Sequence, residues 1–221
     1  MIILGILGSP RLNGKCSKLL QEALSGAESQ GVGAQRIDLI KCNIKHCMGC
    51  CRCMTTDPEL KIGRCQLKDD MAQLLELYTR ADGYVLASPV YDVAITALMK
   101  KFLERKTPLF YRPKEAYATI SAPRTPCAFK KKTVMIVTGN CGDEYRELMG
   151  DPCFEMLESQ LMVEQIETIE KLYVGGVENM TEETFREKLQ YAHHLGETLV
   201  ERIMEEGVKI KSYKKGEEYE S

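Results

Sequence analysis

Apolar residues in this chain come in short unbroken runs, separated by stretches in which they recur at helical spacing. Ile2, Ile3, Leu4, Ile6 and Leu7 form the first run, the pattern of a strand covered on both faces of a parallel sheet. A turn-rich stretch, residues 8–15, follows, and then Cys16, Leu19, Leu20, Ala23, Leu24 and Ala27 mark one helix face. Residues 34–40 read as a second strand. Asp69-Asp70 read as caps of a helix whose apolar face is Met71, Leu74, Leu75 and Tyr78. Residues 83–87 give a third strand stopped by Ser88-Pro89, and Ile95, Leu98, Met99, Phe102 and Leu103 the next helix. A fourth strand spans 133–137. Asp151-Pro152 opens a helix in the cap-then-proline arrangement. A fifth strand covers 167–174, and Phe185, Leu189, Leu195, Leu199 and Ile203 lie along a final helix.

Five strands alternating with helices predict an α/β fold, one doubly wound parallel sheet in three layers. In such sheets ligands bind beyond the carboxyl ends of the strands, where the strand order reverses. The pattern predicts a single domain over residues 1–207. A cysteine-rich insertion interrupts it at 42–66 and a proline-dotted loop at 106–132, the latter too long for an ordinary connection. Residues 208–221 are charged and read as a fraying tail.

Composition narrows the function. With 30 basic against 32 acidic residues and a formal charge of −2, no basic stripe suggests nucleic acid, which is set aside as a partner. No apolar run approaches the length that spans a bilayer. The apolar start has no basic region before it and reads as a strand, not a signal peptide. Ten cysteines without an export signal imply thiols kept reduced in a cytoplasm, where clusters of them bind metal or do redox chemistry.

Five of those cysteines fall between positions 47 and 65. Cys47, Cys50 and Cys53 are spaced C-x2-C-x2-C, Gly49 can relieve the tight backbone between them, and Cys65 is a candidate fourth ligand. Soft sulfur donors suit an iron–sulfur cluster or zinc; buried unligated thiols and disulfides are the competing readings. Cys42 and Cys51 are alternative ligands, and Cys127 and Cys153 read as structural. His46, His193 and His194 read as surface residues. No Ser-His-Asp grouping or paired-carboxylate motif emerges.

The loop after the first strand offers Ser9, Arg11, Asn13, Lys15, Cys16 and Ser17 at a helix N-terminus. Free amides and the helix dipole favour an anion there. The spacing is neither G-x-G-x-x-G nor a P-loop, so one terminal phosphate fits better than a dinucleotide. Pro89, Val90, Tyr91 and Asp92 follow the third strand, and Gly139, Asn140 and Gly142 follow the fourth, where glycines let backbone approach a ligand.

Residues 8–17, Gly-Ser-Pro-Arg-Leu-Asn-Gly-Lys-Cys-Ser, resemble the phosphate loop of flavodoxin-like NAD(P)H-dependent FMN reductases. Residues 81–91 are similar to that family's second flavin loop, and residues 68–71 and 98–105 match in place. Within the family, the C-x2-C-x2-C run with a further cysteine resembles the iron–sulfur flavoproteins, which carry FMN and a [4Fe-4S] cluster. The resemblance covers roughly residues 1–145. It implies strand order 2-1-3-4-5 and FMN held by the three loops, with the ring between Pro89, Val90 and Tyr91. It also implies a cluster on Cys47, Cys50, Cys53 and Cys65, and a homodimer or homotetramer. The activity implied is oxidoreduction between a reduced donor, NAD(P)H or ferredoxin, and an acceptor, without a dedicated acid–base residue. A cluster-free FMN or quinone reductase is the first alternative, and a non-enzymatic flavin-binding carrier or redox sensor the second. Three departures stand out. Lys15-Cys16 replaces the family's common Asn-Thr, Asp92-Val93 replaces an aromatic and a small residue, and the gap from Cys53 to Cys65 is long.

Overall fold

The computed structural model describes residues 1–112, 121–124 and 131–217. Along the chain come β1 (Ile2–Leu7), α1 (Lys15–Ser29), β2 (Gly33–Asp38), α2 (Met71–Arg80), β3 (Gly83–Tyr91) and a short β4 (Ala94–Ile95). Next are α3 (Ala97–Glu104), the two-residue strands β5 (Phe110–Tyr111) and β6 (Ala122–Pro123), and β7 (Lys132–Thr138). The chain closes with α4 (Arg146–Met149), α5 (Asp151–Met162), β8 (Glu167–Val174) and α6 (Glu182–Glu217). The long strands lie in the order β2-β1-β3-β7-β8 with every neighbouring pair parallel. Counting only these long strands, that is the flavodoxin order 2-1-3-4-5.

The unbroken apolar runs have a direct cause. Successive side chains of a strand point to opposite faces, and here both faces are covered. Leu4 and Ile6 of β1, with Tyr84 and Leu86 of β3, pack under α2, α3 and α5. Ile3 and Leu7, with Val85 and Ala87, pack under α1 and α6. Each fully buried Leu or Ile contributes about 1.5–3 kcal/mol, so neither face can carry polar residues without loss.

Several boundaries differ from the sequence expectation, each for a local reason. β2 stops at Asp38, and residues 39–41 form one 3-10 turn that buries Leu39. β3 continues through Ser88-Pro89 to Tyr91 instead of ending at Ala87. Its pairing with β1 has stopped at Ala87, so the amide that Pro89 lacks falls at the rim of the sheet. The chain then reverses into β4, with Val90 opposite Ile95 and Tyr91 opposite Ala94. Asp92 and Val93 make that turn with φ of 52° and 58°. A tight hairpin asks for positive φ at both positions, and a β-branched valine adopts it at a cost. Ile95 therefore belongs to a strand. α3 starts after Thr96, whose Oγ1 accepts from the Met99 amide at 3.2 Å.

The acids before α2 do not cap it through the expected bond. Asp70 is the N-cap residue but makes no capping hydrogen bond; its carboxylate accepts from the Asn43 amide at 2.7 Å. Asp69 accepts from the amides of Lys45 at 2.8 Å and Met71 at 3.2 Å. Both acids thus hold the entrance of the cysteine-rich insertion. α5 starts with Asp151 as its first residue, after Gly150. α6 runs to Glu217 where a frayed tail was expected. Scarcity of apolar residues argues against burial, not against a helix, and Lys and Glu are strong helix formers. Residues 218–221 lie outside the described residues. So does Cys127, with much of the 106–132 loop. The described parts of that loop contain a 3-10 turn at Thr107–Leu109 and the antiparallel β5–β6 pair. Among the described residues no helix is long and apolar enough to cross a membrane.

Candidate functional site

At the carboxyl edge of the sheet, the loops after β1, β3, β7 and β8 enclose a cleft of ≈ 490 Å³. Ser9, Arg11, Lys15 and Cys16 line it from the first loop, Pro89, Val90, Tyr91 and Asp92 from the β3–β4 hairpin, and Gly139 and Asn140 from the third loop. Asn13, Ser17 and Gly142 were nominated with them and stand outside the lining. Asn13 is exposed. Ser17 is buried, donating to the Leu12 carbonyl and accepting from Arg36 Nη2 at 2.6 Å. The Gly142 carbonyl accepts from the Tyr145 amide at 3.0 Å. Thr138, Cys141, Val177 and Glu178 join the lining without having been nominated. The last two follow Gly175-Gly176 at the end of β8, the same strand-end signal that pointed to the other loops.

Gly14 is the N-cap of α1 and supplies no side-chain capping bond. The opening amides, those of Lys15, Cys16 and Ser17, have no acceptor within the helix, and the dipole adds positive potential. The loop is braced from behind. Thr96 Oγ1 donates to the Gly8 carbonyl at 2.6 Å, and the Gly8 amide donates to the Ala87 carbonyl at 2.7 Å. Lys15 does not turn its charge wholly to the cleft. Its Nζ donates to the Val177 carbonyl and, at 3.4 Å, to that of Met180, and lies 5.5 Å from the Phe185 ring centre. The residue that departs from the family pattern therefore straps the first loop to the turn after β8. Asn140 Nδ2 donates to Glu178 Oε2 at 3.1 Å across the same edge. Burial pushes the Cys16 thiol up to about 12, against its hydrogen bond with Thr138 and the charge of Arg36. One uncapped helix N-terminus beside a slot bordered by Pro89, Val90 and Tyr91 fits a single phosphate and a flat ring, and the volume lies in the usual range of about 300–1,000 Å³ for such ligands.

The cysteine segment is assembled differently. Gly49 and Cys51 bend the chain with φ of 63° and 54°, and Arg52–Met54 form a 3-10 turn. Cys47, Cys50 and Cys51 are exposed, Cys65 is half-buried and Cys53 buried, all as free thiols. The long stretch from Cys53 to Cys65 closes on itself. Gly63 donates its amide to the Pro108 carbonyl at 2.7 Å, and a Cβ at Gly63 would lie 2.0 Å from the Cys53 carbonyl oxygen. Only glycine permits that approach. Arg124 fills the closed loop, with Nη2 donating to the carbonyls of Cys53 at 3.0 Å and Thr56 at 3.2 Å. Its Nη1 donates to Asp57 at 2.6 Å and Leu60 at 3.2 Å, and its Nε to Phe110 at 3.1 Å.

The closure returns Cys65 to the neighbourhood of the other thiols. Burial pushes the Cys53 thiol up, its hydrogen bond to Thr107 opposes this, and the nearby Cys65, Cys50 and Cys47 push it further. Cys42 is drawn aside to the Asp38 carbonyl at 3.4 Å, and Cys51 turns to that of Gly49 at 3.5 Å. Cys153 is buried in the core, its thiol pushed up to about 11 by burial. Among the described residues no three His, Cys, Asp or Glu side chains stand in metal-ligating geometry. The donor chemistry nonetheless fits a soft centre: four sulfurs from one segment.

Arg105, which sequence reasoning did not single out, follows α3 and is buried against the segment. It pairs with Asp69 at 2.5 and 3.1 Å, donates to the Lys45 carbonyl at 2.7 Å, and brings Nη2 to 3.8 Å from Cys65 Sγ. Burial alone would raise the Asp69 carboxyl, but Arg105 and the Lys45 and Met71 amides hold it below the usual carboxylate range. A second cavity of ≈ 470 Å³ lies at the opposite, amino edge of the sheet. It sits under the stacked Tyr78 and Tyr84, beside the buried Lys106–Glu164 pair.

Residues 1–146 match the model of the NADPH-dependent FMN reductase family. The chain belongs to that family. Among curated proteins it is similar to an iron–sulfur flavoprotein of Archaeoglobus fulgidus, 39% identical over 113 residues, which are 51% of this chain and 49% of that protein. An iron–sulfur flavoprotein of Methanocaldococcus jannaschii is 34% identical over 109 residues, 49% of this chain and 53% of the relative. The chain thus spans about half the length of the curated relatives it matches. Among solved structures, a flavone reductase superposes with a TM-score of 0.65 at 22% identity, covering 92% of this chain and 63% of that one. An NAD(P)H:quinone oxidoreductase from Methanothermobacter marburgensis gives 0.67 at 15% identity, covering 90% and 98%. At these identities the likeness shows the fold.

Proposed function

We propose that this chain is a flavin-dependent oxidoreductase that binds FMN in the carboxyl-edge cleft and holds a [4Fe-4S] cluster on Cys47, Cys50, Cys53 and Cys65. It exchanges electrons between a reduced donor, NAD(P)H or ferredoxin, and an acceptor, as a cytoplasmic homodimer or homotetramer. The flavin half rests on family membership and on the uncapped N-terminus of α1 at the floor of the cleft. Amides of Lys15 and Cys16 with Ser9 and Arg11 would take the phosphate, and Pro89, Val90 and Tyr91 with Gly139 and Asn140 would border the ring. FMN supplies the exchange between two-electron and one-electron chemistry; these residues orient it and exclude water. The observation that carries the cluster half is the return of Cys65 to Cys53 across a long gap, closed by Gly63 and Arg124.

Anaerobic purification with flavin, iron and acid-labile sulfide analysis tests both halves. FMN with iron and sulfide is the expected result; FAD, or no flavin after reconstitution, overturns the first half. A second reading, a cluster-free FMN or quinone reductase, is favoured by the exposure of Cys47 and Cys50. Flavin without iron or sulfide selects it. Steady NAD(P)H consumption with an added acceptor separates either enzyme from a passive carrier.

A further inference from the structure

The cysteine segment is tied at both ends by one side chain from outside it. Arg105 and Asp69 form an ion pair with side chains 2% and 1% exposed. Asp69 takes both arms of the guanidinium and also accepts the amides of Lys45 and Met71. A planar fork gripped in this way has lost its rotamer freedom, so its remaining donor directions are fixed. Nη1 goes to the Lys45 carbonyl, two residues before Cys47, and Nη2 to Cys65 Sγ. The sequence separations, 60 and 40 residues, make this a clamp between distant parts of the chain.

We propose that Arg105, oriented by Asp69, is a positioning residue for the metal centre: it sets Cys65 against the other three thiols and donates a hydrogen bond to its sulfur. The inference rests on the cluster reading and deepens it. Hydrogen bonds to ligand sulfurs stabilise the more negative, reduced state of an iron–sulfur centre and raise its potential. Burial protects the donor from competing water. An ammonium cannot replace the fork, because a point donor cannot reach Asp69, Lys45 and Cys65 together.

The test uses Arg105→Lys and Arg105→Gln, with Cys65→Ala as reference, and two readouts. The first titrates cluster-free, flavin-loaded protein anaerobically with cobalt(II), following the thiolate-to-cobalt charge-transfer band. Loss of the clamp should weaken cobalt binding tenfold or more and lower the band towards that of Cys65→Ala. The second is the midpoint potential of the reconstituted cluster. It should fall by at least a tenfold change in the one-electron equilibrium, about 59 mV, with the flavin potential unmoved. Arg105→Lys should show most of both effects, which a merely structural role would not move while the protein stays folded. If both variants keep wild-type cobalt affinity, band and potential, the proposal is overturned. Should Arg105→Gln fail to fold, Arg105→Lys decides by the same criteria. If wild-type protein takes up neither iron nor sulfide, the cluster reading fails separately, and the cobalt titration alone judges the clamp.

Discussion

The cleft and the cysteine segment are two ways of building a site on one sheet. The cleft is made of strand ends. Its residues are contiguous in each loop, and the loops are fixed by the parallel ladder and by short backbone bonds such as Gly8 to Ala87. The cysteine segment has no ladder. It is held by two arginines, Arg105 and Arg124, that lie tens of residues from the cysteines they bond, and by Asp69 and Gly63, which flank Cys65 in sequence. The first kind of site inherits its rigidity from the fold. The second depends on a few tertiary contacts, and should fail locally, one contact at a time, while the fold persists.

The sharpest way to break that comparison is at Gly63. Gly63→Ala puts a Cβ 2.0 Å from the Cys53 carbonyl oxygen, and backbone must move to relieve it. Overpacking of this kind costs about 1–3 kcal/mol, and the displaced residue is two positions from Cys65. Iron retention should fall at least tenfold after reconstitution while FMN content stays within twofold of wild type. Equal loss of both would mean that the two sites are one mechanical unit. Arg124→Ala comes next. It removes donors to the carbonyls of Cys53, Thr56, Asp57 and Leu60, on a loop where water can partly replace them. A cost near the lower end for hydrogen bonds to charged groups, about 1.5 kcal/mol, should appear as faster hydrogen exchange of amides 53–60 with protection of β1 and β3 unchanged.

The same contrast governs what could be read from the sequence. The five strands were legible because burial on both faces leaves unbroken apolar runs. Pro89 misled at the end of β3 because its missing amide matters only where a ladder continues, and that depends on β1 having already stopped. Ser9, Arg11, Tyr91 and Asn140 were legible as the lining of one cleft because each sits at or just past the carboxyl end of a strand. Val177 and Glu178 were not, although Gly175-Gly176 marks their loop by the same rule. In the cysteine segment the ligand candidates could be named from spacing alone. Arg105 and Arg124 could not, since no local pattern tells which arginine will meet a thiol 40 residues away or a carbonyl 71 away. Lys15 is a different case: a cation in a phosphate loop reads as a ligand for phosphate, and in the structure, although Lys15 lines the cleft, its ammonium is engaged by the Val177 and Met180 carbonyls. Lys15→Met should therefore weaken FMN binding by less than tenfold, because the amides of the first turn remain. Calorimetric titration of apoprotein measures it, and a hundredfold loss would return Lys15 to the phosphate.

The smallest effect sharpens the comparison from the chemical side, because both regions carry cysteines. Cys16 lines the cleft but is buried, and its thiol is pushed up to about 12 by that burial, more than the Thr138 hydrogen bond and Arg36 pull it down. Only the thiolate attacks an alkylating agent, and at pH 8 such a group is ionised in roughly one molecule in ten thousand. Cys47 and Cys50 are exposed on an irregular loop. In cluster-free protein, iodoacetamide at pH 8 should label them within minutes and leave Cys16 unmodified, as read by peptide mass spectrometry. FMN binding should survive the labelling. Raising the pH towards 10 should bring little Cys16 labelling, since the thiol is still overwhelmingly protonated there, and unfolding in denaturant should bring all of it. Rapid labelling of Cys16 in native protein would mean that the first loop opens on its own. It would then share the local fragility of the cysteine segment, and the rigidity assigned to the strand-end site would have to be given up.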